Sequence, residues 1–475
     1  MANPFHIPGV SVESRALMPL VRGAHTAGVT VLGVALADLG EAETAASRVE
    51  SIGPAPLASR LGVAALAQGS VDTAAVAATL ILEERGAGTR AVRSDPRRVA
   101  AAYGSERLFT IDGTPPAVWA ALSGFFPTVD GWLRTHANYP HHAKRLTGAL
   151  GLPDDATREQ LGDALARTRA TEAVRRIRAA GGVAAEARPG DPAEDRRRTS
   201  AGILARQSFA GPRRPWMDGE LPLAGIRVLD LTRVIAGPVA TRTLALFGAD
   251  VLRVDSPRLP EIGWQHLDGG AGKRSTLLDL EASGDRGRFD ALLADADVIV
   301  LGYRPSGLAR LGLSPADLVA RVPGIVIARL SAWGFDDGDA DRRGFDSIVQ
   351  AASGIAWKES ADGRVPGALP VQALDHSAGY LLAAGAMSAL RRQRSQGGTH
   401  VVATSLRQVA AHLLSSPAGR AVEVDPDLSD QTVSHQSASG LLRYALPAPS
   451  YAGSPADFAH PPHPWGSDVA KWLPR

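Results

Sequence analysis

Leu223-Ala-Gly-Ile-Arg-Val-Leu-Asp-Leu-Thr-Arg-Val-Ile-Ala-Gly-Pro238 is followed nine residues later by Phe247-Gly-Ala-Asp-Val-Leu-Arg-Val254. The apolar run at 226–231 has the length of a buried strand, and a loop at 232–238 leads out of it. An apolar helix over 241–247 then stops at Gly248, and 250–255 is a second strand. Residues 298–303 and 324–330 repeat the strand pattern, with helical patterns at 285–294 and 315–322 between them. Strands alternating with helices predict an α/β fold built on a doubly wound, mainly parallel, Rossmann-like sheet. In such sheets ligands sit at the carboxyl ends of the strands. That places 232–238, 256–258, 303–310 and 331–343 on one rim. No Gly-x-Gly-x-x-Gly follows the first strand and no Walker motif occurs, so dinucleotide binding of the usual kind is not expected.

Working outward, residues 29–37 read as a strand and 71–85 as an Ala-rich helix stopped by Gly86 and Gly88. Strand patterns at 108–113 and 131–136 precede helical patterns at 141–150, 158–166 and 170–180, which predicts a small α+β domain over 105–190, N-terminal to the large one. Within it, His136-Ala-Asn-Tyr-Pro-His-His142 reads as a capped helix start, with the lining of a substrate pocket as the alternative. Adjacent histidines point about 100° apart on a helix, so they make a poor metal pair, and no metal site is expected. Residues 191–221 are rich in Arg, Pro, Gly and Asp and read as a solvated linker. Residues 416–475 lack periodicity and read as an irregular tail.

The 475 residues are long enough for roughly three domains. Lys+Arg 51 against Asp+Glu 49 gives a charge of +2, which supplies no drive toward nucleic acid. Zero cysteines exclude disulfides, thiolate metal sites and a cysteine nucleophile. The first residues lack a signal-peptide pattern, and the apolar run near them is too short to span a bilayer. A cytoplasmic protein without membrane contact is the expectation.

Val371-Gln-Ala-Leu-Asp-His-Ser-Ala-Gly-Tyr380 is the stretch that carries chemistry. An apolar run ends in Asp375, and a small-residue helix is predicted from Ala378 to Arg391. An acid there sits near the unsatisfied N–H groups of a helix start, as a cap or as a reactive carboxylate.

Together with Gly272-Lys-Arg-Ser275, Tyr303-Arg-Pro305, Leu311-Gly312, Arg343-Gly-Phe-Asp346 and Ala373-Leu-Asp375, the opening stretch resembles the class III CoA-transferases, over about 223–414. That group contains formyl-CoA transferase, carnitine CoA-transferase and α-methylacyl-CoA racemase. The resemblance implies a CoA-transferase that moves CoA from an acyl-CoA donor to a carboxylic acid, through an aspartyl anhydride and an aspartyl-CoA thioester on Asp375. It implies CoA contacts at Ile235, Ala236, Asp279, Gly302, Tyr303, Arg304, Arg310, Arg343, Gly344, Phe345 and Asp346, with Lys273 and Arg274 as further candidates. An adenosine-side arginine is expected after Asp255, where Ser256 stands, and Arg258 is its possible substitute. No permanently bound cofactor is implied, only CoA and its esters as substrates, and family members interlock as homodimers. The racemase branch carries a histidine in a Gly-His-Asp run. Here the run is Gly344-Phe-Asp346, and phenylalanine cannot move a proton, so transfer is preferred to isomerisation. A non-catalytic CoA-binding scaffold is the third reading. Trp264, His266, Trp333, Phe335 and Tyr380 are acyl-pocket candidates.

An internal echo completes the pattern. Leu61-Gly-Val-Ala-Ala-Leu-Ala67 repeats Leu369-Pro-Val-Gln-Ala-Leu-Asp375, and Arg98-Val-Ala-Ala-Ala102 repeats Gln408-Val-Ala-Ala-His412. The chain therefore reads as a rearranged fusion. Its parts are a degenerate copy over 1–104 with Ala67 at the nucleophile position, the small domain, the linker, the CoA-binding domain at 222–415, and the tail.

Overall fold

The computed structural model describes residues 30–335, 338–419 and 426–475. Its centre is a seven-stranded sheet. The strands in chain order are β1 (Ala205–Phe209), β2 (Arg227–Leu231), β3 (Asp250–Asp255), β4 (Arg274–Leu277), β5 (Val298–Leu301), β6 (Val326–Ser331) and β7 (Thr399–Ser405). They lie in the order β4-β3-β2-β5-β6-β7-β1, parallel throughout except for β1, which pairs antiparallel with β7. The order reverses between β2 and β5, so the crevice for a ligand opens between the loops after those two strands. Val228, Leu229, Val298, Ile299, Val326 and Ile327 are all fully buried, as continuous apolar runs covered on both faces must be.

Three helices position the site. α1 (Val63–Glu84) packs along α3 (Ala373–Gln396), and α2 (Ala236–Leu246) packs on the other flank of α3. Alanines and glycines on these helices allow the close approach. A Cβ on Gly379 would stand 2.5 Å from the Ala236 carbonyl oxygen and 2.7 Å from Val239 Cβ. Among the described residues α1 is the one helix long and apolar enough to cross a membrane, and here its apolar surface is covered by protein.

The small antiparallel sheet Gly124–Thr128, Gly131–Thr135 and Ala184–Glu186 carries helices Pro140–Ala149, Arg158–Ala166 and Ala170–Ala179. Phe126, Leu133, Leu146, Leu161, Leu165 and Ile177 form its own core.

Five expectations change. The tail is not irregular throughout, since Thr432–Ser437 and Gly440–Ala445 pair as an antiparallel hairpin. Residues 31–39 form a helix and not a strand. Leu32, Ala35, Leu36 and Leu39 bury one helical stripe, and Thr30 Oγ1 caps it by accepting from Gly33 N at 3.2 Å. Residues 108–113 do not form a strand of the small sheet. Ser105–Leu108 is a helical turn, and Thr110–Ile111 pairs instead with Gly440–Ala445 of the C-terminal hairpin. The stretch 191–221 is not free linker. Asp191 caps a helix at Pro192–Thr199, whose Asp195 pairs with Arg407 at 2.8 Å, and the alternating Ala205–Phe209 becomes the edge strand β1. Charge-rich composition concealed acids and arginines that neutralise one another. Finally, α3 starts at Ala373, five residues earlier than expected, so Asp375 lies inside its first turn.

The end of the chain runs along the outer strand of the sheet. Gly466 N donates to Ser275 Oγ at 2.9 Å, Ser275 N to Asp468 Oδ2 at 2.8 Å, and Arg274 Nη1 to the Lys471 carbonyl at 2.7 Å. These bonds cover β4, which would otherwise be an open edge.

Candidate active site

Asp375 stands in the first turn of α3 with only 6% of its surface exposed. Gln372, at the cap position, makes no side-chain cap bond. The cap comes from another element. Asp346, in the first turn of the helix Asp346–Ser353, accepts from Leu374 N at 2.9 Å and from Asp375 N at 3.0 Å through Oδ2. Its other oxygen accepts from Gln350 Nε2 at 2.5 Å, and Gln350 Oε1 in turn accepts from Leu369 N at 2.9 Å. A buried carboxylate thus replaces the usual Ser or Asp cap and pins both ends of the segment leading into α3.

Two acids side by side out of water cannot both ionise easily. Burial first, and then the charge of Asp346, hold the Asp375 carboxyl well above the usual carboxylate range. Burial also raises Asp346, to about 6, against the lowering effect of its hydrogen bonds.

The loop after β2 is built from buried charges. Asp230 is fully buried and accepts from Thr232 N at 3.0 Å, Thr241 Oγ1 at 2.6 Å and Lys273 Nζ at 3.0 Å. Burial pushes Asp230 up, but Lys273 and Arg253 outweigh it and leave the carboxyl below its ordinary value. Further along, Val234 has φ 73°, a left-handed conformation that a β-branched residue adopts only under constraint. The constraint is Glu261. One oxygen accepts from Val234 N at 3.1 Å and pairs with Arg253 at 3.0 Å, and the other takes the Tyr139 hydroxyl at 2.5 Å and Arg233 at 3.3 Å. Burial works to raise Glu261, yet the two arginines bring it down to about 2.

The predicted site residues divide. Ile235 and Ala236 open α2 after β2, Gly302, Tyr303 and Arg304 follow β5, and Arg343, Gly344 and Phe345 lead into the helix Asp346–Ser353. Ser306 N bonds Asp341 Oδ1 at 2.9 Å across the two upper loops, and a Cβ on Gly302 would lie 3.2 Å from Thr232 Cγ2. Arg304 and Arg310 are exposed, and Arg343 stands close enough to Arg304 and Arg145 for their charges to lower its own pKa, after burial. Phe345 lies beneath the small unit, its ring stacked on His136 at 3.7 Å between centroids. Lys273 and Arg274 require correction as ligand contacts. Lys273 is 2% exposed and spent on Asp230 and Thr241, while Arg274 bonds Asp250 at 2.7 Å. Asp346 also faces inward, toward α3. Asp279 is paired with Arg258 at 2.6 Å, so neither stands free for a nucleotide.

Of the aromatic pocket candidates, Trp264 alone lines the hollow next to His376. His266 bonds the His463 carbonyl, Trp333 that of Arg343, Phe335 lies under Arg329, and Tyr380 stacks on Tyr103. The hollow itself has a volume of about 10 Å³, room for about one water molecule. Sequence patterns missed Glu106, Asp230, Glu261 and Asp268. Each is an acid whose importance comes from partners distant in the chain, and only Asp230, closing an apolar strand, left a local trace.

Residues 223–444 match the family model described as CoA-transferase family III. The "Probable fatty acyl-CoA transferase Rv3272" of Mycobacterium tuberculosis is 32% identical over 205 residues, 40% of this chain and 52% of that protein. The "Succinyl-CoA--L-malate CoA-transferase alpha subunit" of Chloroflexus aurantiacus is 29% identical over 211 residues, 41% of this chain and 49% of the relative. The solved orthorhombic form of Rv3272 is 31% identical, with a TM-score of 0.39, over 41% of this chain and 58% of that one. The chain spans about half the length of these curated relatives.

Proposed function

We propose, from the match of residues 223–444 to the model of CoA-transferase family III, that the protein moves CoA from an acyl-CoA donor to a carboxylic acid, with Asp375 as the nucleophile. The observation that carries this reading is the buried Asp375 carboxyl in the first turn of α3, fixed through its own N–H by Asp346.

An Asp375 oxygen attacks the thioester carbonyl carbon, the C–S bond breaks, and CoA leaves as thiolate, giving a mixed anhydride. The thiolate then attacks the aspartyl carbonyl and expels the first acid as its carboxylate. The acceptor's carboxylate attacks the aspartyl-CoA thioester and releases thiolate again. Thiolate attack on the acceptor's carbonyl ends the cycle and regenerates Asp375. No water or proton is consumed, and splitting the exchange lowers each barrier. A desolvated carboxylate is the stronger nucleophile, and exclusion of water protects the anhydride. The cost is a proton that Asp375 must first lose, so activity has an acid limb set by Asp375 and Asp346.

The basic seam of Arg304, Arg343 and Arg145 supports phosphate binding by CoA. The hollow beside His376 is too small for a pantetheine arm, so loading requires the elements that line it to move apart. A homodimer and a cytoplasmic location belong to the same proposal, the first to be checked by sedimentation.

Incubation with an acyl-CoA followed by hydroxylamine should leave a hydroxamate on Asp375, found by peptide mass spectrometry. Absence of that adduct for every donor would overturn the reading. One observation favours a second reading, isomerisation at the α-carbon. His136 places an imidazole, kept neutral by burial, against the Phe345 ring. Proton exchange in D₂O without an adduct would select it, and neither signal would leave a CoA-binding scaffold.

A further inference from the structure

The hollow next to the catalytic helix is lined with polar groups that find no partner. His376, immediately after Asp375, is 1% exposed, and neither ring nitrogen has a hydrogen-bond partner among the described residues. Its ring stacks on Tyr103 at 5.0 Å, which fixes its plane. Glu106 Oε2 and Asp268 Oδ1 are likewise buried and unpartnered, while the other Asp268 oxygen accepts from Ser105 Oγ at 2.8 Å. Glu106, Asp268 and His376 all line the hollow, beside Ile235, Pro238 and Trp264.

Arg242 lines it too, donating to the Asp268 carbonyl at 3.0 Å, and its charge is matched by the Asp268 carboxyl. Burial raises Glu106 to about 7 and keeps His376 neutral. The lining is therefore hydrogen-bonding without a net charge to offer. A saturated alkyl chain would leave these atoms unpaired, and a carboxylate would find no unmatched positive charge. A hydroxyl can donate to a carboxyl oxygen or imidazole and accept from a protonated carboxyl.

We propose that this hollow, which has room for about one water molecule in the closed form and widens as substrate loads, is the subsite for the acyl chain and that Glu106, Asp268 and His376 select short acyl groups bearing a hydroxyl. The proposal rests on Asp375 acting as the acyl acceptor. Sites that hydrogen-bond a substrate hydroxyl reject the analogue lacking it strongly, because their own buried groups are then stranded. Glu106 belongs to the segment joining α1's region to the small unit, so the specificity comes from outside residues 223–444.

The test measures the rate of hydroxamate formation on Asp375 with 2- and 3-hydroxybutyryl-CoA, butyryl-CoA and succinyl-CoA. One hydroxybutyryl ester should react about 10²-fold faster than butyryl-CoA. Glu106→Leu should bring that ratio to within about threefold of one, while Glu106→Gln, which keeps the hydrogen bonds, should preserve most of it; circular dichroism checks that both fold. Equal rates, or a preference for butyryl or succinyl, would overturn this inference and leave the transferase reading standing. A ratio unmoved by Glu106→Leu would overturn it equally. No adduct with any ester would instead defeat the transferase reading on which it depends.

Discussion

α1 and α3 lie against each other and open on nearly the same residues, yet one start holds a braced, buried acid and the other does not. At the α3 start a buried acid takes two backbone N–H groups and holds Asp375 at a set angle. At the α1 start Gly62 stands at the cap without any side-chain bond, and Ala67 occupies the place of the acid. The Ala67 carbonyl takes only a long 3.4 Å contact from the Tyr103 hydroxyl, whose main partner is Ser377 of α3 at 2.9 Å. The difference teaches that a buried acid at a helix start is held at a set angle only where a second acid braces the backbone. α1 serves as a wall that keeps the start of α3 out of water.

The strongest way to break the contrast is Asp375→Ala. Turnover should fall at least about 10⁴-fold, while CoA affinity measured by calorimetry stays within about threefold, since removing a nucleophile removes chemistry and not recognition. The reverse change, Ala67→Asp, puts an acid where nothing braces it. It should lower stability by about 3–5 kcal/mol in urea unfolding, the cost of an unpaired buried charge, and should yield no hydroxamate at residue 67. Gly379→Ala attacks the packing of α3 on α2, because its Cβ would overlap the Ala236 carbonyl. A loss of about 1–3 kcal/mol is expected, with activity falling as the nucleophile is displaced.

The smallest effect is a pH dependence. The folded protein holds Glu106 at about 7, above its ordinary value of 4.5, so the fold binds this proton more tightly than the unfolded chain does. The resulting stability is complete below about pH 4.5 and is lost as pH rises toward and through 7. Glu106→Gln should therefore narrow the difference in Tm between pH 5 and pH 8, by the equivalent of about 1–2 kcal/mol. An unchanged difference would place that proton elsewhere.

The parallel sheet was legible because buried strands announce themselves as apolar runs, and four of its seven strands fall within the patterns read from 226 to 330, while β4 and β7 were not read as strands. β1 was not legible, since Ala205-Arg-Gln-Ser-Phe209 at a sheet margin needs only half its side chains inside. Asp375 could be found from its surroundings in the chain. Asp346 could be named, but its true work, holding the α3 start, depends on a fold that brings residues 346 and 375 together. Lys273 and Arg274 misled for the same reason. A cation in sequence looks free until the acid beside it in space, Asp230 or Asp250, comes into view.

Glu261 gives the molecule a latch. Because the same carboxylate grips Tyr139 of the small unit and the N–H of strained Val234, the two cannot be released independently. An outward swing of the small unit breaks the first bond and frees the carboxylate to shift. The loop after β2 can then relax from a conformation costing about 1–3 kcal/mol. Part of the work of opening is thus stored in the closed form, and a visitor large enough to push on Tyr139 would also reshape the floor it comes to rest upon.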